Sequence, residues 1–164
     1  MKRIIFPVLL AVCIPAMAFC YAHPNLVAAQ KLINESFAKI TAAQEANDFD
    51  LGGHAVKAKE ALEKAKEEIR LAGEYATKNA TFAKFLKALG FHETPNGEAP
   101  EANISKKKHP NLAAAQRLVF DAYEKLVAAQ KANEFDMDGH AQKAKEFLDT
   151  AAGELKAAAQ SANQ

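Results

Sequence analysis

Metal or acid–base chemistry in this chain would have to run through its histidines. There are five. Four of them form two pairs, His23 with His109 and His54 with His140, each separated by 86 positions. His54 and His140 each follow an aspartate by four residues, Asp50 and Asp136. On a helix that spacing puts carboxylate and imidazole on one side. Such a donor set suits zinc, copper or nickel, and a helix amino terminus disfavours protonated imidazole, leaving a ring lone pair for a metal. His23, should it become a free amino terminus, would add its amine to its imidazole as a copper chelate. His54, His140, Asp50, Asp136, His23 and His109 are therefore the candidate metal ligands.

The same residues have a purely structural reading, and it is the preferred one. Asp50 fits the N-cap of a helix starting at Leu51, with Phe49 and His54 placed as a hydrophobic staple. Asp136, Phe135 and His140 repeat the arrangement. Binding a metal through Asp50 would sacrifice that cap, at a cost of about 1 kcal/mol. Geometry limits the metal reading too, because the two histidines of one hairpin lie at opposite ends. A shared ion needs two hairpins, pairing His54 with His140 and His23 with His109 if they dock parallel, or His54 with His109 if antiparallel. Enzymatic chemistry has less to stand on. The chain has no Gly-rich phosphate loop, no Cys-x-x-Cys-His haem site and no HExxH. After the amino-terminal segment, its serines (Ser36, Ser105 and Ser161) lie outside any nucleophile-elbow context. The expectation is a protein that is not an enzyme.

The elements that hold these residues come from a duplication. Residues 23–78 and 109–164 align without gaps, and about half of the aligned positions are identical. Leu26, Ala29, Ile33, Phe37, Ile40 and Ala43 mark one face of a helix over 24–46, opened by His23 and Pro24 and stopped by a left-handed Asn47. Leu51, Ala55, Ala58, Leu62, Ala65, Ile69, Ala72 and Ala76 mark a second helix over 51–77, in alternating steps of four and three. The turn between them permits only an antiparallel neighbour, so each repeat is a hairpin. Leu112 to Ala129 and Met137 to Ala162 reproduce both stripes. Alanine fills much of the seam, which lets a partner helix approach closely. The fold expected is all-α: two tandem antiparallel helical hairpins docked as an up-down four-helix bundle, with a short amphipathic helix and a linker between them. In His23-Pro24-Asn25-Leu26 and Gly52-Gly53-His54-Ala55, copied as His109-Pro110-Asn111-Leu112 and Asp138-Gly139-His140-Ala141, the chain resembles small exported bacterial proteins carrying an HPNL and GGHA-type repeat. That resemblance covers both repeats but not the middle segment, and it implies an exported helical protein without implying an activity.

Met1-Lys2-Arg3 and the apolar run from Ile4 to Cys20 have the form of a secretory signal over 1–22, with small-x-small exits after Ala18 or Ala22. Cleavage after Ala22 puts His23 first and removes both cysteines. It also changes the balance from 21 basic and 20 acidic residues to 19 and 20, a net charge of −1. Such neutrality argues against nucleic acid as a partner. With its prolines Pro7 and Pro15, the run also falls short of the ~20 residues of a membrane span. In the middle segment, 79–108, Phe82, Phe85, Leu86 and Leu89 share a face, Lys84 and Lys87 lie off it, and Gly90 closes the turn. This short helix is expected to close the open end of the bundle, docking on a partner or a membrane surface being the alternative. Glu93 to Lys108 is expected to be a polar linker ending in a solvated lysine run. Together these features suggest a non-catalytic periplasmic helical repeat protein, a structural or protein-interaction module whose protein partner is unknown. The alternative is a periplasmic binder of a divalent transition metal.

Overall fold

A computed structural model of the chain describes residues 23–47, 51–90, 97–133 and 137–163, without the side chains at 82, 83, 86, 87 and 133. Its elements are α1 (Pro24–Glu45), α2 (His54–Lys78), α3 (Ala80–Ala88), α4 (Pro110–Asn133) and α5 (His140–Ser161). α1 begins where the sequence places it, with His23 as N-cap and Pro24 in the first turn. It stops by a different device from a left-handed Asn47: the Asn47 side-chain amide donates to the Ala43 carbonyl at 2.7 Å. Asn79 and Asn163 do the same to Tyr75 and Ala159, at 3.0 and 2.7 Å. Each asparagine thus satisfies one of the carbonyls a helix end leaves open.

α2 and α5 begin three residues later than the Asp50 and Asp136 caps imply. Gly52 and Gly53 have φ of 59° and 72°, and Met137, Asp138 and Gly139 have φ of 51°, 61° and 78°. Consecutive left-handed residues cannot belong to a right-handed helix, so Gly53 and Gly139 become the caps, and neither helix has a side-chain cap bond. Asp50, Asp136, Phe49 and Phe135, and the staple they imply, lie outside the described residues.

Both apolar stripes go into one core. Every stripe position of α1, α2, α4 and α5 is buried except Phe37 and Ala162, which are partly so. The closest packing is between repeats, α2 on α5 and α1 on α4. On α2 and α5 the small residues recur every seventh position, at Ala58, Ala65 and Ala72 and at Ala144, Ala151 and Ala158. α1 and α4 follow the rule with Ala29, Ser36 and Ala43 and with Ala115, Ala122 and Ala129. Side chains this short let two backbones approach, and the Ser36 hydroxyl donates directly to the Ala115 carbonyl at 3.2 Å.

Register follows from the contacts. His54 at the start of α2 meets Glu154 late in α5, and His140 at the start of α5 meets Glu68 of α2. The end of α1 and the start of α4 line one cavity. The hairpins therefore lie head to tail, and every neighbouring pair of helices is antiparallel. α2 and α4 run the same way, so residues 79–108 return along the bundle as a long crossover, a variant of bundle topology in which not all connections are short.

From Gly97 to Ile104 the crossover straps the groove of α4 and α5: Ala99 and Ile104 pack on the core, and the Ile104 amide donates to Gln116 Oε1 at 2.9 Å. Gly97 (φ 97°) sits where a side chain would collide with the Tyr123 hydroxyl. Ala152 and Gly153 lie at the cavity edge beneath the strap. Their counterparts in the first repeat, Lys66 and Glu67, are longer, and the Lys66 ammonium stands 5.8 Å from the Phe37 ring. The Lys106-Lys107-Lys108 run is exposed. The packing of α3 is mainly on the adjoining α2, and Phe85 and Leu89 are each 57% exposed.

If close inter-repeat approach holds the bundle together, Ala65→Leu or Ala151→Leu must force α2 and α5 apart. Each is expected to destabilise the fold by about 1–3 kcal/mol, read as a lowered urea midpoint. Exposed Val56→Leu is expected to leave the midpoint unchanged.

Candidate functional site

α2 and α5 each present a histidine in their first turn, and each histidine finds its partner on the other repeat. His54 Nδ1 lies 2.7 Å from Glu154 Oε2, and His140 Nδ1 lies 2.6 Å from Glu68 Oε2. The pairs are copies of one another, since His54 and His140 are 86 positions apart and so are Glu68 and Glu154. An ionised carboxylate only accepts, so the imidazole donates its Nδ1–H. Side-chain exposure is 29% and 26% for the first pair and 20% and 18% for the second, which partly shields both from solvent.

The helix dipole explains why a carboxylate belongs there. Neither α2 nor α5 has an acidic residue in its first turn or a side-chain cap bond. Glu154 brings negative charge to the start of α2, and Glu68 brings it to the start of α5, where it complements the positive helix end. Each repeat thus brings a carboxylate to a first turn of the other that has no acidic residue. Glu68 is therefore not one of the solvated charges that the outward face of α2 otherwise carries, such as the Glu67–Arg70–Glu74 cluster. In that cluster the Arg70 guanidinium holds the Glu67 carboxyl below the usual carboxylate range.

One sequence signal could have found the glutamates. Lys64, Lys66 and Glu67 give way to Thr150, Ala152 and Gly153 in the second repeat, yet Glu68 is matched by Glu154. That retained acid was legible, but its partner was not, because the bond joins positions 72 and 100 residues apart.

The other predicted ligands are not gathered together. Head-to-tail docking puts His54 and His109 at one end of the bundle and His140 and His23 at the other, but His54 and His140 are bonded to glutamates. Among the described residues no three histidine, cysteine, aspartate or glutamate side chains cluster as a metal site would require. His23 Nε2 lies 3.4 Å from the Thr77 hydroxyl, and burial lowers its pKa below the ordinary 6.5. The second repeat has Asn163 where the first has Thr77, and its amide is spent on Ala159. His109 Nε2 is accordingly buried without a partner, beside a cavity of about 170 Å³ lined by Ala43, Ala46, Asn47 and residues 108–112. A second hollow of about 240 Å³ lies under the strap between Pro100, Gln116, Asp149 and Lys156. Next to that groove Lys145 is fully buried, with its ammonium 5.5 Å from the Tyr123 ring.

No family model matches this chain, and no curated protein or solved structure matches it either.

Two outcomes follow. Double-mutant cycles on His54/Glu154 and His140/Glu68, with alanine and glutamine replacements, are expected to give couplings of about 0.5–1 kcal/mol, equal for the two pairs within error. For His23 the sign comes from its lowered pKa: the unfolded chain takes up the proton first, so stability falls as pH drops below 6.5 toward the folded value. His23→Gln is expected to flatten that part of the stability–pH curve, checked by urea unfolding between pH 7 and pH 5.

Proposed function

We propose that this chain is an exported, non-catalytic helical protein that serves in the periplasm as a structural or protein-interaction module. One observation carries the reading: the residues best suited to chemistry, His54 and His140, are tied to Glu154 and Glu68 of the opposite repeat. In that position they join two hairpins instead of meeting one another around a substrate. The signal-like segment 1–22 supports export. No helix among the described residues is long and apolar enough to cross a membrane.

A divalent-metal reading has one observation in its favour. A carboxylate that accepts the Nδ1–H of a histidine fixes the ring tautomer and leaves the Nε2 lone pair for a metal, as the outer partners of known zinc ligands do. His54 and His140 each have that arrangement, at opposite ends of the bundle.

One preparation separates the two. In protein made without a histidine tag, the module reading expects the same melting temperature with or without zinc, copper or nickel. It also expects His54→Gln/His140→Gln to remain helical by circular dichroism, with its melting temperature lowered by the loss of the two pairs. A metal-dependent rise in wild type that is absent from the double variant would establish the metal reading instead. Recovery of the uncut chain only in the membrane fraction would defeat the exported, periplasmic part of the proposal.

A further inference from the structure

α3 is the element that the duplicated bundle does not use. It has no counterpart in the second repeat, its main packing partner is the adjoining α2, and it holds Phe85 and Leu89 in solvent, each 57% exposed. Those residues stand one helical turn apart and therefore share a face. The charge around them is one-sided. From Ala76 to His92 the sequence contains Lys78, Lys84 and Lys87 and no aspartate or glutamate, whereas α2 interleaves both signs along its length. Lys78 and Lys84 are exposed.

We infer that α3 is a docking element for an anionic lipid surface, with Phe85 and Leu89 entering the acyl boundary and the flanking lysines meeting the headgroups. Size decides between lipid and protein. A nine-residue helix is about 13 Å long, and one face of it offers far less than the roughly 800 Å² per partner of a stable protein interface. A bilayer sets no such threshold. Each apolar side chain that enters and each lysine near the anionic surface adds to binding separately. Position agrees with this choice. The apolar run 4–20 leads into α1 at His23, whose ring is 3.4 Å from Thr77, just before α3 begins. The start of α1 and the start of α3 thus lie at the same end of the bundle. The inference goes beyond the module reading and does not depend on what the paired histidines do.

The chain contains no tryptophan, so a single Phe85→Trp variant of the full chain places its one indole on α3. Val56→Trp, at the other end of α2 and 50% exposed in the parent, is the control. With vesicles of mixed phosphatidylglycerol and phosphatidylcholine, the emission of Phe85→Trp is expected to move to shorter wavelength and to be quenched by brominated lipid. Adding Lys84→Glu is expected to weaken this binding by roughly tenfold or more, and 1 M salt to weaken it as well. Val56→Trp is expected not to respond. The inference is overturned by no shift with anionic vesicles, by an equal shift with phosphatidylcholine alone, or by an equal response from Val56→Trp. It is also overturned by a short-wavelength emission already present without lipid and lost on dilution, since a second copy of the chain would then be covering α3.

Discussion

The structure depends on how closely two helices of different repeats can approach. A small residue at every seventh position brings α2 against α5 and α1 against α4, while Leu, Ile and Val at the intervening seam positions fill the core. Neither hairpin has this contact by itself, because its own two helices pack less closely than each does with its twin. An isolated hairpin would expose the alanine rows and much of the aliphatic stripe to water. The cost of that exposure, at roughly 25 cal/mol per Å² of apolar surface, is what makes the duplicated unit fold as a pair.

Head-to-tail docking follows from the same contact and places everything else. It sets the start of α2 beside the end of α5 and the start of α5 beside α2, so that one histidine–glutamate pair, encoded once and copied, closes twice. Parallel docking would have put the two histidines side by side and left both glutamates without them. The pair is both a link between repeats and a counter-charge for two helix starts with no acidic residue in their first turn. This is why the imidazoles are held by carboxylates and do not face each other.

Symmetry breaks most where the chain must return. Because α2 and α4 run in the same direction, residues 79–108 span the length of the bundle, and the second repeat is altered to receive them. Ala152 and Gly153 stand where the first repeat has Lys66 and Glu67, and Tyr123 lies under Gly97 where Phe37 lies under the Lys66 ammonium. The strap accounts for the near-complete burial of Tyr123, against the partial burial of Phe37. α3 precedes the strap and has no such groove, which leaves Phe85 and Leu89 in water.

What the sequence determined by itself is local and periodic. The two apolar stripes, the Pro24 start, the asparagines near the helix ends and the antiparallel turns depend on neighbours within a few residues, and the duplication shows them twice. The helix starts were misplaced by three residues because Asp50 and Asp136 satisfy cap preferences, while the left-handed run that follows them is a property of the folded turn. Only the tertiary structure decided which hairpin faces lie together and in which direction. Small residues are permissive: an alanine row allows close approach from either direction and selects neither. The partner of each histidine, the path of the crossover and the exposure of α3 all follow from that one choice of direction, made by contacts between residues far apart in the chain.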